Sequence, residues 1–115
     1  MQFLRIDESA RTRSTNPIFE GVVYAQPLTE GLSRQLQVSV VSFQDGARNV
    51  FHAHPVDQLL VITEGEGIVA SEAEEHPVSA GDAVFIPAGE RHWHGARPGR
   101  SMSHLSILTP VRRGS

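Results

Sequence analysis

The chain has 115 residues, which suffices for one domain. Its net charge is −3 and its pI is near 6.0, so it lacks the basic surface that nucleic-acid binding needs. All ten basic residues are arginine and there is no cysteine, which excludes a lysine Schiff base, lysine-held pyridoxal cofactors, thiol nucleophiles and thiolate metal sites. No stretch approaches the roughly 20 apolar residues of a membrane helix, and residues 1–14 lack the apolar core of a secretion signal, so we expect a cytoplasmic protein without a membrane partner.

The predicted elements, taken in chain order, are short β-strands separated by turns. Residues 1–15 are polar and rich in arginine, and we expect them to form either a loose arm or a segment that pairs with a partner chain. Runs rich in Val, Ile, Leu and Phe follow at 19–28, 36–43, 58–63, 67–71, 83–86 and 102–108. Glycine-rich and proline-rich turn signals separate these runs, including one at 64–67. The pattern predicts one all-β domain over residues 1–115, an antiparallel barrel or sandwich of six to eleven strands.

The apolar pattern does not decide which face of one predicted strand points toward the core. In the run 36–43 the apolar phase slips between Val40 and Val41, so either face could point inward, and a β-bulge there would explain the slip. We expect Phe51 and Phe85 in the core, and Trp93 in the packing of the barrel or of a dimer.

Five of the six histidines lie in two apolar neighbourhoods and the last predicted strand, whereas His76 lies in a polar turn and is expected to be solvated. His52 and His54 are two residues apart, and such residues of a strand point to the same face, so both rings can approach one metal ion. A short turn can bring the amide of Gln58 to that point, and His92 can add a third imidazole from a neighbouring strand. A His-x-His pair alone more often marks surface residues or satisfied buried groups. Three histidines and an amide, without a competing thiol, favour a metal site.

Two longer patterns contain these residues. The stretch from Gly46 to Gly65 reads G-ARNVF-H-A-H-PVD-Q-LLVITE-G, and that from Gly81 to Ala96 reads G-DAVFI-P-A-G-ER-H-WHG-A. They resemble the two motifs of the cupin superfamily with every spacing kept, although Gln58 stands at a Glu position and Ala96 at an Asn position. The resemblance implies an all-β double-stranded β-helix, which is the small cupin jelly-roll barrel, and a homodimer. It aligns four residues with metal-ligand positions: His52, His54, Gln58 and His92.

A narrower resemblance covers about residues 19–108. The stretches FEGVVYAQPL, GERHWHGA and M-x-HL look like the manganese-dependent hydroxynitrile lyases of the cupin superfamily and their relatives. This resemblance implies a divalent metal cofactor, manganese first, with iron, nickel, zinc or copper as further candidates, and a small-molecule substrate. It also favours His104, in the M-x-HL element, as the catalytic general base, with His94 beside it on the face of His92. The alternative for His104 is a buried ring that hydrogen-bonds to backbone.

An amide at position 58 has a chemical consequence. Four neutral ligands leave a divalent ion its full charge, so its Lewis acidity rises and its trivalent state becomes harder to reach. A metal-dependent lyase that works without redox change is therefore the first hypothesis, for example one that cleaves a cyanohydrin. Two alternatives stay open: a quercetinase-like metal-dependent dioxygenase, and a non-catalytic cupin that binds a small ligand.

Overall fold

The computed structural model describes residues 1–110 and contains ten β-strands. They are β1 (Thr12–Arg13), β2 (Phe19–Glu20), β3 (Val23–Pro27), β4 (Gln37–Phe43), β5 (Arg48–Asn49), β6 (Gln58–Ser71), β7 (Glu75–Ser79), β8 (Ala83–Ile86), β9 (His92–Ala96) and β10 (Met102–Leu108). A 3-10 turn at Glu8–Ala10 precedes β1, and residues 1–110 contain no α-helix. No helix in this part of the chain is long and apolar enough to cross a membrane. The cytoplasmic location stays a prediction.

The strands form two antiparallel sheets that share β6. The first sheet has the order β1-β3-β4-β10-β6-β8, and the second has the order β7-β6-β9-β5-β2. Neighbours that are distant in sequence, such as β4 and β10, show that the chain winds back and forth between the sheets. The prediction of an all-β double-stranded β-helix is confirmed.

The strand β6 runs from one sheet into the other, where the sequence predicts two runs and a turn. Its first half pairs with β8 and β10, and its second half pairs with β7 and β9. Gly65 has a φ of 77°, and a Cβ atom at Gly67 would lie 2.6 Å from the carbonyl oxygen of Gly95. The glycines at 65 and 67 therefore mark a corner at which the strand changes sheets, and the chain does not reverse there.

The β-bulge expected in β4 is wrong. This strand keeps an unbroken register with β3 and with β10. Val41 lines the interior cavity, whereas Val40 and Ser42 point to the other face, where residues 6–11 of the N-terminal segment lie against them. Consecutive residues of β4 are apolar because both faces of the strand are covered. The register shift of this sheet lies in the β6–β10 pairing instead.

The N-terminal segment is tied to its own chain. Strand β1 pairs with β3, and the side-chain amide of Gln26 donates to the carbonyl of Arg5 at 2.8 Å and accepts from the N–H of Asp7 at 3.0 Å. Met1 and Phe3 are fully or almost fully exposed. Pairing of this arm with a partner chain stays a prediction.

The core fills the space between the two sheets, and its largest apolar members are Phe43, Leu60, Ile62 and Met102. Trp93 is buried on the outer side of β9, where the guanidinium carbon of Arg48 lies 3.7 Å from its ring centroid. The expectation that Phe51 and Phe85 are core residues is wrong, because they are 37% and 62% exposed. Phe85 alternates with the buried Ile86 and therefore points outward from β8.

Candidate metal centre

Three histidines meet at one end of the cavity between the sheets. His52 lies outside the ten strands, where a strand was expected, and forms an isolated bridge to His92 of β9 through two backbone hydrogen bonds, with N···O distances of 3.0 Å and 2.9 Å. His54 follows two residues after His52, and their ring centroids lie 4.8 Å apart. One nitrogen of each ring lies within 4.8 Å of the corresponding atoms of the other two rings. The predicted convergence of these three side chains is what the structure shows.

Two of these rings are oriented by the backbone. Nδ1 of His52 lies 2.7 Å from the carbonyl oxygen of Val50, and Nδ1 of His92 lies 2.9 Å from that of Glu90. A carbonyl oxygen can only accept, so each Nδ1 carries the proton and each Nε2 offers a lone pair. Hydrogen bonds of this kind fix the tautomer of metal-binding histidines.

Gln58 supplies a fourth oriented atom. It is 5% exposed at the start of β6, and its Nε2 donates to the hydroxyl of Ser106 at 2.9 Å. Its Oε1 is buried, as is Nε2 of His92, and neither atom has a hydrogen-bond partner within residues 1–110. Buried acceptors without partners are costly unless something binds them. The set of three imidazole nitrogens and one amide oxygen therefore fits a divalent transition-metal ion.

A second pair of histidines lies deeper in the same cavity. Nδ1 of His94 lies 3.1 Å from Nε2 of His104, and the rings are 4% and 0% exposed. Phe43 packs against both, with ring centroids 5.8 Å from His94 and 5.5 Å from His104. Met102 shares the buried face of β10 with His104 and belongs to the core cluster.

Burial controls the charge of the histidine rings. Desolvation lowers the pKa of His104 from 6.5 to about 4 and that of His94 well below 6.5, with the proximity of His104 as the next cause for His94. Desolvation also lowers the pKa of His54, and that of His92 against an opposing hydrogen bond to the carbonyl of Glu90. These four rings are therefore neutral at pH 7, which both metal binding and proton acceptance require.

The cavity has a polar side and an apolar side. It has a volume of about 270 Å³, and His52, His54 and Gln58 line it at the metal-binding end. Phe19, Val41 and Leu108 are among the apolar side chains that line it elsewhere. A small molecule with one polar end and one apolar end fits such a site.

The structure brings together all six predicted site residues and leaves His76 at the surface, where its Nε2 lies 3.1 Å from a carboxylate oxygen of Glu74. Sequence reasoning missed the roles of two polar residues that contact them. Ser106 holds the amide of Gln58, and Asn49 contacts His94. The alternation of β10 places Ser106 on the face of His104, which was a usable signal, whereas Asn49 gave none.

Comparisons with known proteins agree with this geometry. A family model for the cupin domain matches residues 39–108. The chain is 37% identical over 112 residues to an (R)-mandelonitrile lyase from Granulicella tundricola, covering 93% of this chain and 83% of that protein. A cupin-like protein from Thermotoga maritima superposes with a TM-score of 0.83 at 33% identity, covering 96% of this chain and 86% of that one. The polyketide cyclase RemF from Streptomyces resistomycificus has a TM-score of 0.82 at 18% identity, with 97% and 82% covered, so that likeness concerns the fold alone.

Proposed function

The chain belongs to the cupin family, and from this premise we propose that it is a divalent-metal-dependent lyase that cleaves cyanohydrins, with manganese as the metal. The observation that carries the proposal is that three converging histidines, the buried amide oxygen of Gln58 without a partner within residues 1–110, and a neutral, buried histidine pair meet in one small cavity. The 37% identity to an (R)-mandelonitrile lyase supports the choice of substrate class.

In this proposal His52, His54, Gln58 and His92 hold the metal, which supplies Lewis acidity toward an oxygen or cyanide group when bound. His104 accepts the proton of the substrate hydroxyl. As the carbonyl forms, the carbon–carbon bond to the nitrile breaks and its electron pair leaves with cyanide. The protonated His104 then gives its proton to cyanide, so the products are an aldehyde and hydrogen cyanide. The apolar side chains of Phe19, Val41 and Leu108 take the organic group.

The test is cleavage of mandelonitrile by the full chain loaded separately with Mn²⁺, Fe²⁺, Ni²⁺, Zn²⁺ and Cu²⁺. We expect benzaldehyde release above the metal-free rate, fastest with Mn²⁺. No release with any of these ions would overturn the proposal. Oxygen consumption with flavonols or diols would then indicate a dioxygenase, and ligand binding without turnover would indicate a binding module.

We also propose that the chain forms a homodimer through the outer face of the first sheet. On this face the cross-strand neighbours Leu105 and Val61, Ile107 and Leu59, and Leu59 and Phe85 lie side by side. Each of these five apolar side chains is only partly buried or exposed, and no charged residue separates them in the paired register. A contiguous apolar face of this kind fits a second copy of itself.

Size-exclusion chromatography with light scattering tests the dimer, which we expect to have twice the mass of the 12.6 kDa chain. Phe85→Glu should shift the protein to the monomer, while Leu32→Glu, at an exposed loop residue, should not. A monomeric wild-type protein would rule out this interface.

A further inference from the structure

Asn49 is a buried amide whose orientation its neighbours determine. It is 2% exposed, lies at the end of β5 and faces His94 of β9. Its Oδ1 accepts from the backbone N–H of His94 at 2.8 Å. A backbone N–H can only donate, so the oxygen of the amide faces that group and the NH₂ faces the other way. The NH₂ nitrogen lies 3.3 Å from Nε2 of the His94 ring and 3.5 Å from its Nδ1.

This contact determines which of the two buried histidines, His94 or His104, donates the hydrogen bond between them. An amide NH₂ can only donate, so Nε2 of His94, its nearer neighbour, accepts. A neutral imidazole with one accepting nitrogen carries its proton on the other, so Nδ1 of His94 donates to Nε2 of His104 at 3.1 Å. His104 then keeps its own proton on Nδ1 and its lone pair on Nε2.

We propose that Asn49 is a positioning residue that holds the proton of His94 on Nδ1 and thereby keeps the lone pair of His104 on Nε2. The opposite arrangement would put the lone pair of His104 on Nδ1, the ring nitrogen that does not contact His94. His104 lines the cavity, and Nε2 is the nitrogen engaged there by His94, so a substrate hydroxyl can compete for it. The inference rests on the proposed function only for the role of this lone pair, which is that of the general base.

Nitrogen NMR of the full chain, labelled with ¹⁵N-histidine and held with diamagnetic Zn²⁺ at pH 8, tests the arrangement without any activity assay. In the wild type we expect the proton of both His94 and His104 on Nδ1. Asn49→Asp keeps the oxygen that accepts from the backbone but replaces the donor with an acceptor, so the proton of His94 should move to Nε2. Asn16→Asp is the matched control, since Asn16 lines the same cavity, has no hydrogen bond to His94, and would keep its Oδ1 contact with the N–H of Ile18.

A wild-type His94 with its proton on Nε2 would overturn the inference, and this measurement needs no variant. An unchanged His94 tautomer in a folded Asn49→Asp protein would also overturn it. If mandelonitrile is a substrate, Asn49→Asp should lower kcat at least about 10-fold, with KM within about two-fold and metal content retained. Absence of cleavage by the wild type would count against the proposed function alone, since the NMR result decides the role of Asn49 independently.

Discussion

The five clustered histidines divide into two groups that the fold treats differently. In the outer group, the rings of His52 and His92 donate through Nδ1 to backbone carbonyls, and the buried Nε2 of His92 has no hydrogen-bond partner among residues 1–110. In the inner group, His94 and His104 contact each other and are almost entirely removed from solvent. Rings with fixed, unpaired lone pairs favour a cation, whereas rings that contact each other in an apolar environment favour the neutral state. In the proposed function, the same residue type thus serves for metal binding in one group and for proton transfer in the other.

The largest effect is expected from the outer group. The double variant His52→Ala, His54→Ala removes two of four ligand atoms, so Mn²⁺ should be lost completely on dialysis, as measured by elemental analysis. The matched control, His94→Ala with His104→Ala, should retain the metal. If the control loses as much metal as the double variant, the division into two groups fails. His76→Ala, at the exposed histidine, should change nothing.

Turnover is expected to depend on the inner group. Because His104 is the proposed base, His104→Ala should lower mandelonitrile cleavage by roughly 100-fold or more while metal content stays intact. The measurement is kcat together with metal analysis of the same sample. Metal loss in this variant would make His104 a ligand, and full activity with metal retained would remove it from the mechanism.

The inner group should also make stability depend on pH. His104 has a pKa of about 4 in the folded protein against 6.5 for the ordinary side chain, so below 6.5 the unfolded chain binds more protons. The stability that the neutral ring contributes is complete above pH 6.5 and is lost as pH falls toward 4. Between pH 7 and pH 5 this loss is about 2 kcal/mol for His104 alone.

Urea unfolding of metal-free protein at both pH values measures this loss. His104→Gln, which cannot titrate there, should make the dependence less steep, and His76→Gln should leave it as steep as in the wild type. An equally steep dependence in His104→Gln would show that other groups cause it.

The sequence predicts well which side chains come together, because the spacing within each motif is local. Two motifs with fixed spacing place Gln58 at the start of β6, His92 at the start of β9, and His52 and His54 in the segment between β5 and β6. Alternation places His94 and His104 on inward faces. The sequence fails where burial depends on distant segments. Val40 is buried because residues 6–11 cover it, and Phe85 is exposed because nothing in residues 1–110 covers the outer face of β8 in this way. The sequence predicts a turn where β6 passes from one sheet to the other, because glycines at such a corner and glycines at a turn look alike in sequence.

The smallest predicted effect concerns the contact that lies between the two groups. Ser106 is next but one to His104 on β10, yet its hydroxyl accepts from Gln58 of the outer group at 2.9 Å. Ser106→Ala removes that acceptor, so the amide of Gln58 can rotate and the position of its Oε1 is no longer fixed. Metal affinity should fall about 10-fold, the lower end for a residue that orients a ligand. Titration calorimetry with Mn²⁺ measures it.

The matched control for this variant is Ser103→Ala. Its hydroxyl donates to Ser42 at 2.8 Å on the other side of the same strand, so it tests whether any lost hydroxyl on β10 weakens binding. Ser103→Ala should leave metal affinity unchanged, and Ser106→Thr, which restores a hydroxyl, should recover most of it. Unchanged affinity in Ser106→Ala would mean that Gln58 needs no such support or is not a ligand. Gln58→Ala separates these two, because only a ligand would lose affinity there. Equal losses in Ser103→Ala and Ser106→Ala would instead trace the effect to β10 as a whole.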